Sequence, residues 1–368
     1  MKAFWVENKR NLIVIGITIL AIILFRILMQ HKVALEIYHG WIFRPISFVF
    51  NKMFSFTVWS IGEIVIYFSL GLLIFLIIKQ IVCLFRTKRF VFRRFLHNAL
   101  NFASVLGIVY MVFMVFFGLN YYKEPFSQKL SYDSENIELE EVITITRLLT
   151  QEANMLRGKM KEDSAGVMKL TQGYKHYLRH GLDGYHLLDE SYNVPVPHTS
   201  SAKRLLISDI FSYMGVGGVF MPHTFEANVN LSIPDPLIPA LICHELAHLS
   251  GYATEDEANY ISFLTSRANP NPEFKYSGYL MALRYFLGQL AKMDRDAYEH
   301  ISEGIHPGIV RDIQAHHRFW EQYKSPVERV SSTIYNQYLK ANNQPKGIMS
   351  YHEMIKLVIG EYRKKNNL

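Results

Sequence analysis

Over the first 120 residues apolar side chains come in unbroken runs, whereas from Tyr121 onward they recur every three or four positions with polar residues between them. The first pattern predicts helices that are apolar on every side, which soluble proteins rarely sustain for about 18 residues or more. Leu12 to Phe25 is uncharged and, with Arg26 able to snorkel, extends to Met29; further runs cover Phe54 to Ile78 and Ala99 to Leu119. Each approaches or exceeds the ~20 residues that a spanning helix needs. The stretch after the first run has no small-residue cleavage site, so that run reads as a retained signal anchor. The expected organisation is a membrane domain over 1–120, with spans at about 12–29, 54–78 and 99–119, and a second domain over 121–368.

The second domain reads as mainly helical, formally α+β. Ile137 to Met160 and Met168 to Leu188 have helical spacing, Asn193 to Ser200 with its two prolines reads as a connector, and a short helix is expected over Ala202 to Phe211. From Tyr213 to Pro236 the texture changes to glycine, β-branched and aromatic residues, which predicts strands or a hairpin. Gly215, Gly217 and Gly218 lack the lysine and following helix of a phosphate loop, so close backbone packing or a bulge is expected there. Gly278 to Ala291, Pro307 to Tyr323, Val327 to Lys340 and His352 to Tyr362 read as helices again.

Charge changes this picture in one respect. The net charge of +7 raises the question of nucleic acid, but much of the excess lies in short segments beside the apolar runs. Lys79, Arg86, Lys88, Arg89, Arg93 and Arg94 stand between the second and third runs without an acid, against Lys32, Arg44, Lys52 and Glu36 between the first and second. The more positive loop is expected in the cytoplasm, and with it the N-terminus, which places the second domain outside a cell membrane crossed three times. Membrane lipid is then the expected partner, and nucleic acid is not. Two distant cysteines, Cys83 and Cys243, exclude a disulfide framework. Glu63, inside the second run, is a functional hint because ionisable groups are expensive in lipid; pairing with Ser60 or a headgroup is the plainer reading.

The chemistry-bearing pattern is His244-Glu245-Leu246-Ala247-His248. Histidines at i and i+4 project from one helix face, so both imidazoles can reach one metal ion at ~2.1 Å. Glu245 beside that face suits a general base acting on zinc-activated water. A catalytic zinc takes three protein ligands and keeps an open position. Gly251 can reverse the chain and Thr254 can cap a second helix, with Glu257 at the capping-box position and Glu255 pointing back at the metal. Glu257 remains an alternative ligand.

This order resembles the gluzincin metallopeptidases, in which a helix bearing Glu-x-x-Ala-Asp or Glu-x-x-Ala-Asn follows the His-Glu-x-x-His helix. The resemblance implies that Glu255 binds zinc and that Asn259 orients a ligand histidine. The short separation of His248 from Glu255 departs from most gluzincins; it is similar to a metzincin spacing, with Thr254 where a third histidine would stand. Three N-terminal spans followed by PHTFEANVN, HELAH, EDEAN and YLKANNQPKGIMSY also resemble a family of bacterial membrane proteins classed as a domain of unknown function with a zincin-like signature. By analogy, Val219 to Asn230 is the edge strand that holds a peptide or protein substrate. Tyr351, Tyr338 and His223 are the candidates for stabilising the transition state, while His306, His316 and His317 are expected at the surface. The resulting expectation is a membrane-anchored zinc metallopeptidase with an extracytoplasmic zincin-like domain. The alternative is a catalytically inactive binding or scaffold protein of the cell envelope.

Overall fold

The computed structural model describes residues 2–87 and 92–367. Lys88 and Arg89 of the basic loop, and the side chains of Cys83, Arg86 and Arg93, lie outside the described part. The chain divides into two compact units, one comprising Met1–Ile46, Ile61–Lys123 and Pro222–Thr224, the other Ser47–Ser60, Glu124–Met221 and Phe225–Leu368.

In chain order the helices of the N-terminal part are α1 (Lys2–Leu28), α2 (Lys32–Tyr38), α3 (Arg44–Phe54), α4 (Ile61–Thr87) and α5 (Phe92–Phe116), with a π-helical turn His39–Phe43 between α2 and α3. Among the described residues, three segments are long and apolar enough to cross a membrane: Val6–Leu28, Ile61–Val82 and Arg94–Phe116. In the first unit α1 packs on α5 through small and polar side chains, as expected where apolar contact alone gives no preference over lipid. Asn11 Nδ2 donates to Asn101 Oδ1 at 2.7 Å, and the Ser104 hydroxyl donates to the Asn11 carbonyl at 3.3 Å. Glu63 accepts from the Tyr67 hydroxyl one turn later.

The second span starts at Ile61, later than the expected Phe54. Phe54 instead ends α3, and the chain then runs extended: Arg204 N–H donates to the Val58 carbonyl at 2.8 Å and Ser60 N–H to the Arg204 carbonyl at 3.0 Å. Backbone committed to a sheet-like pairing cannot continue a helix. Lys203 Nζ reinforces the junction by donating to the Phe54 and Thr57 carbonyls. Within the second unit α3 turns Ser47 and Asn51 inward while Phe48, Val49 and Met53 face out, the reverse of a water-soluble helix.

The second unit continues with α6 (Phe126–Lys129), α7 (Leu139–Arg157), α8 (Tyr174–Leu187), β1 (Lys203–Arg204), α9 (Ser208–Tyr213), β2 (Gly218–Met221), β3 (Glu226–Val229) and α10 (Ile238–Leu249). It closes with α11 (Glu255–Ala268), α12 (Pro272–Met293), α13 (Arg295–Glu303), α14 (Pro307–Tyr323), α15 (Pro326–Ala341) and α16 (Met354–Asn366). Local signals set many of these boundaries. Glu138 and Glu141 form a capping box on α7, while Asn271, Asp294 and Ser325 accept first-turn N–H groups at α12, α13 and α15, with proline starting α12 and α15. The core forms where α10 meets α8, α11, α12 and the sheet; every residue of α10 except Leu241 is buried.

The sheet has the order β1-β3-β2, with β1 parallel and β2 antiparallel to β3. Two expectations change here. Ala202 to Phe211 is not one helix: Lys203 and Arg204 pair with Asn228 and Val229, and the helix begins only at Ser208. Val219 to Asn230 is the expected hairpin, but only its β2 is an edge strand, since β3 lies in the middle of the sheet.

Candidate metal centre

His244 and His248 sit one turn apart on α10 with ring centroids 4.7 Å apart. Gly251, with φ +88°, turns the chain back in the left-handed region, and α11 starts at Glu255 four residues later. That reversal carries Glu255 Oε2 to 3.3 Å from His244 Nε2 and 3.6 Å from His248 Nε2. Tetrahedral ligands at about 2.0 to 2.2 Å from a zinc ion stand about 3.3 to 3.6 Å from one another, so both separations fit one ion.

The hydrogen bonding fits as well. His248 Nδ1 lies 2.8 Å from the Tyr252 carbonyl, which can only accept, so Nδ1 carries the proton and Nε2 presents its lone pair when the ring is neutral. A lone pair facing a carboxylate oxygen is repulsive unless a proton or a metal ion lies between them. Glu255 Oε2 is buried and has no hydrogen-bond partner, whereas Oε1 accepts from the Tyr335 hydroxyl. The open oxygen is the one that faces the imidazoles.

Glu245 follows His244 on the same helix and is also buried, with Oε2 unpartnered. A Cβ on Gly218 would come within 2.3 Å of Glu245 Oε1, so the edge strand β2 passes directly over this carboxylate only because residue 218 lacks a side chain. Burial drives the Glu245 carboxyl up to about 8, partly offset by His248. Burial likewise lowers His244; for His248 it acts in the same sense but is overcome by Glu255, which raises that imidazole to about 9. Glu255 itself is lowered despite its burial, chiefly by His248.

Asn259 is linked to His244 by a side-chain hydrogen bond, and its Nδ2 donates to the Tyr285 hydroxyl and the Tyr351 carbonyl, both at 3.1 Å. Tyr351 stacks on His244 with centroids 6.1 Å apart, and its hydroxyl lies 3.2 Å from that of Tyr335. Tyr338 stands behind Tyr335, ring on ring at 5.9 Å. His223 Nε2 is directed to the Gly62 carbonyl, 3.0 Å away within the first unit. Glu257 is also directed elsewhere, accepting from the Phe126 N–H at 2.7 Å, and the expected capping box at Thr254 does not form. His306 caps α14 by accepting from the Gly308 N–H, and His317 is exposed. His316 departs from the expected surface position, being half-buried between Arg284 and Trp320. Tyr335 and Gly218 complete the arrangement; the close packing expected at Gly218 is met against Glu245, whereas nothing in the sequence singled out Tyr335.

The chain is thus a mainly helical membrane protein with three apolar N-terminal helices, a small three-stranded sheet and a buried His-His-Glu cluster able to hold a metal ion. Residues 38–359 match the family described as protein of unknown function, DUF3810, and the chain belongs to that family. No curated protein and no solved structure matches it.

Proposed function

We propose that this protein is a membrane-anchored zinc metallopeptidase with a zincin-like catalytic domain, and that its second unit works outside the cell membrane. The observation that carries the reading is the pair of open, buried carboxylate oxygens, Glu255 Oε2 against two imidazoles and Glu245 Oε2 beside them. His244, His248 and Glu255 hold the ion. When bound, zinc supplies Lewis acidity for the peptide carbonyl and for water.

The remaining chemistry belongs to the side chains. Glu245 takes a proton from the attacking water as its oxygen bonds to the carbonyl carbon, then gives that proton to the amine as the C–N bond breaks. Burial raises the proton affinity of Glu245 above that of a solvated carboxylate, and a cation bound beside it would keep it ionised and able to accept the proton. Tyr351, whose ring lies against His244, donates to the oxygen that gains charge. Substrate backbone lies along β2, the strand that crosses Glu245.

A structural metal site is the weaker reading, because such a site takes four closed ligands and has no use for Glu245. The test is Glu245→Gln in the full-length protein, with zinc measured by mass spectrometry and hydrolysis by release of fragments from denatured casein and envelope proteins. Zinc and fold are expected to persist while turnover falls by roughly 10² to 10⁴-fold. Undiminished turnover would reject Glu245 as the base, and absence of zinc in the wild type would reject the metal. An outside-only reporter is expected to work when fused after the second unit and to fail near Lys88; the opposite pattern would reject the orientation.

A further inference from the structure

Arg284 on α12 is half-buried, and its guanidinium faces His316 Nδ1 at 3.1 Å. On the other side of the same imidazole, Trp320 Nε1 donates to His316 Nε2 at 2.9 Å. Both neighbours are donors. A neutral imidazole has one lone pair and a protonated one has none, so at least one of these donors is always unmet. Burial, then Arg284 and His317, push His316 down to about 3, which keeps the ring neutral. Burial also lowers Arg284, offset in part by Tyr285 and by no carboxylate. Arg157, Arg267 and Arg363 differ in this respect, because each holds a carboxylate: Asp312, Glu361 and Glu141.

The cluster adjoins the metal centre on two sides. Trp320 comes within 3.9 Å of the place a Cβ on Gly217 would occupy, and Gly217 precedes the glycine that lies over Glu245. Tyr285, next to Arg284 in the chain, accepts from Asn259. We propose that Arg284, His316 and Trp320 form a recognition pocket for a carboxylate group of the peptide substrate, a specificity that rests on the peptidase reading. One guanidinium flanked by neutral N–H donors suits a planar monoanion held by two parallel hydrogen bonds, while a phosphate dianion would call for further cations. The carboxylate comes from a peptide C-terminus or from an Asp or Glu side chain.

The test separates binding from cleavage. Short fluorescent peptides carry a free C-terminus, a single Asp with an amidated C-terminus, or no carboxylate, and their Kd values are measured on the full-length Glu245→Gln protein. One of the first two peptides is expected to bind on the order of 10²-fold more tightly than the third, and which one names the source of the group. Arg284→Gln in that background should abolish the difference and Arg284→Lys should keep part of it, with Tm confirming the fold of each. Equal Kd values for the three peptides, or a preference that survives Arg284→Gln, would overturn the pocket. Displacement by inorganic phosphate as effective as by acetate would overturn its carboxylate character. Loss of the preference in Arg284→Gln while wild-type protein cleaves none of the peptides would sink the peptidase reading and leave the pocket standing.

Discussion

Two buried ionic clusters of the second unit are built from similar groups and left in opposite states. Asp312 on α14 meets Arg157 of α7 and Tyr276 of α12 with no oxygen open: Oδ2 accepts from Arg157 Nε at 2.7 Å and from the Tyr276 hydroxyl, and Oδ1 accepts from Arg157 Nη2 at 3.3 Å and from the Met168 N–H at 2.8 Å. Around α10 the count does not close, since Glu245 and Glu255 each keep one oxygen without a donor. A buried acid whose lone pairs are all used ties helices together. One whose lone pairs are left over is held for something that arrives later.

Removing each acid in turn gives the largest contrast. Asp312→Ala strands a buried guanidinium and should destabilise by about 3 to 5 kcal/mol, read as a drop in urea midpoint with zinc content per folded molecule unchanged. Glu255→Ala should lose stoichiometric zinc, while the metal-free midpoint falls less than with Asp312→Ala, because His248 can shed its proton once Glu255 is gone and the Arg157 guanidinium cannot. Zinc lost with Asp312 and retained without Glu255 would dissolve the distinction.

A smaller effect sharpens it at the second layer. Asn259→Ala leaves the three ligand atoms in place but removes the group that orients His244, so zinc affinity should fall by roughly 10 to 100-fold, measured by competition with a chelator of known affinity. An unchanged affinity would mean that Asn259 serves only Tyr285 and Tyr351.

The smallest effect uses a third cluster, closed like the first. Arg267, after burial acting in the opposite sense, holds Glu361 down at about 2. The folded carboxyl lies below its unfolded value of 4.5, so its contribution is complete above that pH and disappears as pH falls towards 2. The stability difference between wild type and Glu361→Gln should therefore shrink across that window and stay flat above it. A difference that grows on acidification would contradict the assignment.

Much of the His-His-Glu cluster was legible because its information is local. The i and i+4 spacing fixes which face of α10 carries His244 and His248, and a glycine reversal within a few residues limits which acids can come back, so Glu255 could be named and Glu257 kept beside it. The choice between them depends on Phe126, whose N–H occupies Glu257 from another helix. Tyr335 reaches Glu255 across 80 residues and Gly218 meets Glu245 across the sheet, and no spacing in the chain encodes either. The same holds for the second span, where hydrophobicity runs through Phe54 while the break at Ser60 is set by a strand that follows much later.

That last pairing has a consequence for biosynthesis. Trp59 bridges Arg204, and through β3 this ladder reaches the strand that crosses Glu245. The partners are separated by 145 residues, which at ~5 to 20 residues per second take about 7 to 30 s to emerge from the ribosome. Throughout that interval Val58 to Ser60 waits without its ladder. The order of assembly is therefore fixed by the calendar of translation: the rung that precedes the second apolar helix is made early, its partner arrives late, and the central strand β3, which joins that partner to the strand over Glu245, is the last part of the ladder to be made.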